Sequence, residues 1–599
     1  MRCYKTCTMN TSTPTHTPTH TPTAAPTHAD YDTALAVLSQ HKQAWADTTV
    51  AQRIALLAEI KECLMPIAQA WAEEAARQKG LDPAHSLAGE EWVSGPYAVM
   101  AYCNAMMQTL SQVQGSKHLA SVPVRQLANG QVAARVLPHT IWDYLLLSGV
   151  SAEVWMQPGV TRANLAEHTG GAYTPCHAPL PKVNLVLGAG NIASIAPLDC
   201  LHKLFTENEL PLLKMNPINA YLKEFLDVAL KPLIDRGFLR IMRGDVAAGQ
   251  YLCNHPLVET IHITGSGAAH DSIVWGSGSQ ALDNKKNNTP QNTRPITSEL
   301  GGVGPTIVVP GPWTAADIKF QAEHIATQKL HNAGFNCIAC QVLILPASWS
   351  LKSALVNAVQ KTLAASTPRP LYYPGAGARL AQFQTETAGT SATTPTTANQ
   401  CVVAAFDAAA HTPSTNSAKN FEVFAPALST TDLPGGDNDP EAFLVKAIAY
   451  ANEQLAGTLG ANILIHPKTM HSIGRARFES IISQLHYGCI AINAWTGLGF
   501  LVAPATWGAF PGHTLADVQS GIGVVHNTML FDKPERTVVE APFKPFPRNL
   551  LSGSFALLPR PPWYITNSRA HVLGKLLTAF QYRPSFLKIP LIFINALRG

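Results

Sequence analysis

Charged side chains are scarce in this chain: 43 lysines and arginines and 39 aspartates and glutamates make up 14% of 599 residues and leave a formal charge of +4. Spread over that length, so small an excess excludes nucleic acid as a partner on charge grounds and points to small molecules. Long apolar runs are lacking as well. "IPLIFINAL" at 589–597 is among the longest, and it stops far short of the roughly 18–20 residues that span a bilayer, so no transmembrane helix is expected. The 11 cysteines include one Cys-x-x-Cys, Cys337 and Cys340, with no second to complete a zinc site. Scattered as they are, with no leader-like start at "MRCYKTCTMN", the cysteines read as reduced thiols of a cytoplasmic protein.

What the chain does have is apolar residues, 46% of the total, enough for a large core and two or more lobes. Residues 1–29 carry the tract "TSTPTHTPTHTPTAAPTH", which has nothing to bury and predicts a disordered tail. Its prolines break the turns that would gather its imidazoles on a metal. From about residue 30 to 115, "YDTALAVLSQHKQAW" and "RIALLAEIKECLMPIAQAWAEEA" show the apolar spacing of scaffold helices. From residue 183, "VNLVL", "LPLLK", "FLRIM" and "VETIHIT" alternate with helix-length segments and predict a parallel, doubly wound sheet. A second series runs through "PTIVVP", "QVLILP", "EVFAPAL", "GANILIHP" and "CIAIN". Between the two lies "SGSQALDNKKNNTPQNTRP", which reads as a turn-rich surface insertion.

"VNLVLGAGNIAS" at 183–194 looks at first like the strand, glycine turn and helix start that cradle a dinucleotide's phosphates. That fingerprint wants a carboxylate at the end of the second strand. Glu207 and Glu209 precede that strand, which ends in Lys214. Asn191, taken alone, would read as a helix N-cap.

Other motifs give it a different setting. "HNAGFNCIACQVLIL" places Cys337 in an Asn332-x-Gly334-x-x-Cys337-x-Ala339 frame just before a strand, and "TSELGGVGP" places Glu299 in a Glu-Leu-Gly-Gly frame earlier in the chain. With "HITGSG" at 262–267 and "FEVFAPALS" at 421–429, in that order, the chain resembles the aldehyde dehydrogenase superfamily over roughly residues 50–530. Alone, Cys337 would read as a buried apolar thiol and Glu299 as a solvated carboxylate; the motifs together change both readings.

The resemblance implies an α/β fold of two doubly wound lobes, a Rossmann-like cofactor lobe and a catalytic thiol lobe. It divides the chain into the tail at 1–29, N-terminal helices with the NAD(P) lobe at 30–298, the catalytic lobe at 299–505, and a return segment with a basic extension at 506–599. The implied activity is oxidation of an aldehyde to a carboxylic acid with NAD or NADP. By resemblance, the Asn191 amide and a backbone N–H of Cys337 form an oxyanion hole, Cys337 attacks the aldehyde, and Glu299 activates the water that cleaves the thioester. Lys214 would reach the adenine ribose, with Gly244 in the same region. Gly265 and Ser266 would lie by the pyrophosphate at a helix N-terminus. Leu300, Glu422 and Phe424 would border the nicotinamide half. Pro217 stands where NAD-preferring members often carry a glutamate, which leaves NADP open. A homodimer or homotetramer is expected, with a strand near "CIAIN" pairing across the dimer.

Departures mark a divergent branch. Glycine and isoleucine flank Asn191 where many members have a Pro-Trp-Asn-Phe-Pro run, Phe335 replaces a common glutamine, Val342 an arginine, and Ala425 a glycine. Alternatives stay open: a coenzyme-A-acylating enzyme or acyl reductase using the same thioester, or a nucleotide-binding protein without catalysis. The Cys337–Cys340 pair would also allow a regulatory disulfide. After position 540 there are eight basic residues and no acidic one, interleaved with Trp563, Tyr564, Phe586 and Phe593. That segment either lies on an anionic membrane surface or packs on the body or a neighbouring subunit.

Overall fold

The computed structural model describes residues 26–173, 180–388, 396–398, 401–406 and 422–599. The predicted tail lies outside these as far as residue 25, and its last two residues are helical: His28–Gln40 starts at a capping box in which Thr27 and Asp30 bond reciprocally. The 29-residue helix Val50–Gln78 opens on a second such box, Thr49 with Gln52. It buries the stripe Leu56, Leu57, Ile60, Leu64, Trp71 and Ala75, which with Ala98–Leu110 joins one core with the first sheet. The N-terminal helices are therefore the wall on which that sheet rests.

The first sheet has six strands in the order Gly521–Ile522, Ile296–Leu300, Thr260–Gly265, Lys182–Leu187, Glu209–Lys214 and Arg240–Met242, all parallel except the first pair. Its strands are near-continuous apolar runs, as a sheet covered on both faces requires. Glu299 and Leu300 end a strand of this sheet, so the lobe boundary expected before residue 299 falls inside a strand; the chain crosses to the other sheet at residues 301–303.

The second sheet has eleven strands, in the order Val124–Gln126, Val132–Leu137, Ser151–Met156, Pro534–Glu540, Cys489–Ile492, Gly460–Leu464, Gly304–Val308, Cys340–Ser348, Ala427–Gly436, Cys401–Phe406 and Thr396–Ala398. Two expectations are corrected here. Residues 124–156 extend this sheet and not the cofactor lobe, because Ser151–Met156 pairs with Pro534–Glu540. The pairing expected near "CIAIN" does not use the "CIAIN" strand itself, which is flanked by two strands of its own chain, Gly460–Leu464 and Pro534–Glu540, so neither of its edges is free. The polar insertion is also more ordered than its composition suggests: Gly278–Asn287 is an exposed helix ending at left-handed Asn288.

Candidate active site

Most of the candidate residues sit where strands of the two sheets end, the usual place for sites in doubly wound folds. The turn at 188–194 follows strand Lys182–Leu187 and leads into helix Ile195–Phe205. Ser194, not Asn191, holds the N-cap position. Gly190 is pressed against Asn216, where a Cβ would come within 2.7 Å of the Asn216 Oδ1. Asn191 is free of capping duty, buried, and donates its side-chain amide to the Phe335 carbonyl at 2.9 Å. That aims it at the loop bearing Cys337.

This loop begins with three consecutive left-handed residues, Asn332 (φ 53°), Ala333 (φ 55°) and Gly334 (φ 81°). Each non-glycine there costs about 1–3 kcal/mol unless its surroundings hold it. They do. The Asn332 N–H donates to Glu90 Oε2 at 2.8 Å, and its side-chain amide donates to the carbonyls of Phe335 and Asn191 at 3.0 and 3.1 Å. Gly334 has no room for a side chain, since a Cβ would lie 3.0 Å from the Ala425 carbonyl oxygen.

Behind the loop lies a buried ionic layer that the sequence reading missed. Glu90 accepts a fork of two bonds from Arg369 at 2.6 and 2.8 Å. Burial alone would raise its carboxyl, but the Arg369 and His331 charges and these bonds bring it down to about 2. Lys79 Nζ donates to Glu91 at 2.8 Å, to Asn332 Oδ1 at 3.0 Å and to the Asn191 carbonyl at 3.1 Å. Tyr372 donates to the last two as well. The only hint in the sequence is a Glu-Glu pair in a stretch that is otherwise apolar and small.

Glu299 projects from its strand toward Cys337, whose thiol donates to Glu299 Oε1 at 3.5 Å. Trp507 donates its indole N–H to the same oxygen at 2.8 Å, while Oε2 is buried without a partner. Loss of hydration, then the charge of nearby Asp199, push the Glu299 carboxyl up to about 7, against the pull of the two donors. Burial and the two carboxylates Glu299 and Glu422 raise the Cys337 thiol well above its ordinary range. A thiol so placed is protonated at rest, and the carboxylate it already touches is its route to a thiolate. Cys340 points away, its Sγ 3.8 Å from the Val342 carbonyl, and the described cysteines are all free, so no disulfide links the pair.

The sequence model of the aldehyde dehydrogenase family matches residues 217–372, which contain both Glu299 and Cys337. Solved structures match over far more of the chain. The NAD-dependent aldehyde dehydrogenase of Sinorhizobium meliloti is 16% identical, with 86% of this chain and 87% of that one covered at a TM-score of 0.53. The gamma-glutamyl-gamma-aminobutyraldehyde dehydrogenase of Burkholderia cenocepacia is 16% identical, covering 86% and 90% at 0.55. The NADP-dependent glyceraldehyde-3-phosphate dehydrogenase of Bacillus halodurans, solved with NADP, is 17% identical, covering 86% and 92% at 0.54. Residues 217–372 are thus similar to the aldehyde dehydrogenase family, and over most of its length the chain shares the fold of those enzymes. No curated protein sequence matches it.

Of the residues expected at the cofactor, Lys214, Gly244, Gly265, Ser266 and Leu300 lie at or just beyond strand ends of the first sheet, while Glu422 and Phe424 precede strand Ala427–Gly436 of the second. Lys214 ends its strand nearly buried, and among the described residues its ammonium makes no hydrogen bond or ion pair. Gly244 lies against it, where a Cβ would approach the Lys214 Cε to 3.3 Å. Gly265 and Ser266 join strand Thr260–Gly265 to helix Gly267–Trp275, with the Ser266 hydroxyl spent on the Ala269 N–H. Leu300 is buried at the end of its strand, and Gly301 after it faces Glu422, which leaves no space for a side chain there. Glu422 Oε1 is sealed from solvent without a partner, and burial pushes its carboxyl up to about 8 despite the Lys329 and Arg379 charges. Phe424, at φ 47°, packs against Phe335 and Tyr373, with Arg379 holding its carbonyl. The Phe335 departure thus fills an aromatic cluster, and Val342 lies in the core between sheet and helices.

Proposed function

We propose that this chain oxidises an aldehyde to a carboxylic acid, with NAD or NADP as acceptor, through a thioester on Cys337. The observation that carries the reading is the contact of the Cys337 thiol with a carboxylate whose pKa is near 7. Glu299 takes the thiol proton, and the thiolate attacks the aldehyde carbon. Charge developing on the aldehyde oxygen is met by the Asn191 amide, held at the Cys337 loop, and by backbone N–H groups there. One such preorganised donor contributes on the order of 3–4 kcal/mol to the transition state.

The residues present fit a nicotinamide dinucleotide: the sealed, unpartnered Glu422 Oε1 suits a ribose hydroxyl donor, and the unpartnered Lys214 ammonium suits the adenine ribose. When bound, that group supplies a cationic ring that favours the thiolate and accepts a hydride from the tetrahedral adduct. Once Glu299 has passed the thiol proton on to solvent, its carboxylate takes a proton from the water that attacks the thioester, and the Cys337 thiolate leaves. Its Oε2, free of protein partners, is the oxygen available for that water. The presence of this carboxylate favours hydrolysis over acyl transfer to coenzyme A.

The test is reduction of NAD and NADP by the purified protein against short, long and aromatic aldehydes, with coenzyme A added in parallel. Turnover without coenzyme A, lost in Cys337→Ala, supports the reading. Turnover only with coenzyme A replaces it with an acylating enzyme, and cofactor binding without turnover replaces it with a binding protein.

A further inference from the structure

The C-terminal segment divides into a part that is integral to the body and a part that faces away from it. Helix Ala570–Tyr582 packs on Gly89–Trp92, where Gly89 and Gly574 are pressed too close to Ala570 and Trp92 to accept side chains. The final helix, Ile589–Leu597, turns Ile592 inward onto Leu573 and Phe580. Its other face is apolar too. Leu587, Leu591 and Ile594 follow one another at helical spacing along the solvent side, and Leu587 is 91% exposed. Phe586 continues the stripe and packs, tilted by 51° with centroids 4.6 Å apart, on Trp142 in helix Ile141–Leu146, which itself exposes Ile141 and Tyr144. Apart from Asn595 the helix is apolar, as suits a protein core or lipid, and it lies on the surface.

Charge selects the occupant. Of the eight basic residues after position 540, Lys544 and Arg548 pair with Asp317, Arg560 with Glu323, and Arg583 with Glu62. Among the described residues Arg569, Lys575, Lys588 and Arg598 have no carboxylate within ion-pairing distance, although Lys575 donates to the Gln69 amide oxygen and Lys588 to the carbonyls of Ala579 and Arg583. A segment without a single acidic residue repels a second copy of itself and attracts an anionic surface.

We propose that the stripe Phe586, Leu587, Leu591 and Ile594, with Ile141 and Tyr144, seats this protein on an anionic membrane surface, the apolar side chains entering the headgroup boundary and the unpaired cations meeting lipid charge. Among the described residues no helix is long and apolar enough to cross a membrane, so the contact is peripheral. The proposal is independent of the catalytic reading.

The experiment is flotation of the full chain with phosphatidylcholine vesicles with and without phosphatidylserine. Truncation is unsuitable, because helix Ala570–Tyr582 supports the body; Leu587→Glu with Leu591→Glu alters exposed positions only, and an unchanged melting temperature verifies its fold. The unaltered chain is expected to float with the anionic vesicles, less so at high salt. The double variant is expected to lose at least roughly tenfold in partition. Arg598→Gln is expected to lose roughly fivefold on anionic vesicles alone, at about 1 kcal/mol per charge near the surface. Absence of flotation, or flotation that the double variant leaves unchanged, overturns the proposal. So does a dimer, seen by sedimentation, that the double variant dissolves without any vesicle binding; the occupant is then a second copy.

Discussion

The two sheets are built in opposite ways. The six-stranded sheet takes all but its short edge strand from one continuous stretch, 182–300, whose strands are joined through helices and lie beside one another, with one crossing that brings Thr260–Gly265 to the other side of Lys182–Leu187. The eleven-stranded sheet gathers segments from 124–156, 304–348, 396–464 and 489–540, and closes only when Pro534–Glu540 is laid between Cys489–Ile492 and Ser151–Met156. The site takes Asn191 and Glu299 from the first and Cys337 and Glu422 from the second, so chemistry depends on how firmly the two are held in register. The difference points to a buried ionic layer at the seam, where Lys79, Glu90 and Glu91 of the N-terminal region meet Arg369 and Tyr372 of the larger sheet's lobe around Asn332.

Altering each side in turn sharpens that comparison. On the side of the larger sheet, Cys337→Ala should reduce aldehyde oxidation to the assay background, measured as NAD(P)H absorbance, while leaving cofactor-induced thermal stabilisation in place. Residual turnover above background would remove the thioester route. At the seam, Glu90→Gln leaves the Arg369 guanidinium buried without its charge partner. Breaking such a pair costs about 3–5 kcal/mol, to be read as a lower urea midpoint, with turnover falling as the loop at 332–334 relaxes. A midpoint unchanged within error would mean that the ionic layer is not what fixes the loop.

On the side of the smaller sheet, Asn191→Ala should lower kcat by roughly 10²–10³-fold with a small change in KM, since it removes an oxyanion donor. An effect confined to KM would move Asn191 to substrate binding. If Glu299 acts in its ionised form as proposed, kcat/KM should rise with pH through about 7 and this limb should vanish in Glu299→Gln. The stability consequence has the opposite sign. A carboxyl with a folded pKa of about 7 against an ordinary 4.5 penalises the native state once it ionises. Glu299→Gln should therefore raise the melting temperature at pH 8 but not at pH 4.

The smallest expected effect is Trp507→Phe. Losing the indole N–H removes a bond that favours the carboxylate, so the acid limb should move up by about one pH unit with the melting temperature little altered. A limb that stays in place would make Trp507 a packing residue only.

Much of the smaller sheet was legible, because each of its strands is a short apolar run bounded by a helix-length segment, and such patterns are local. Asn191, Glu299 and Cys337 were legible through their motif frames, and the structure does bring the three together. The strands at 124–156 were not, since "VAARVL" and "SAEVWM" become sheet only through partners far along the chain. The exposed helix Gly278–Asn287 was masked by its many asparagines and glycines. Lys79, Glu90, Arg369 and Tyr372 carry no motif at all; they are meaningful only as a set that tertiary contact assembles around Asn332.

The sequence by itself determined the chemistry on offer, a thiol, a carboxylate and an amide in recognisable frames, and the doubly wound lobe that carries two of them, because local propensity and hydrophobic period suffice for both. Tertiary structure decided that the "CIAIN" strand is enclosed by its own chain, that Glu299 titrates near 7, and that the C-terminal helix shows lipid-like side chains to solvent. Pairing partners, desolvation and exposure are properties of neighbours distant in sequence, and only the folded chain brings those neighbours into contact.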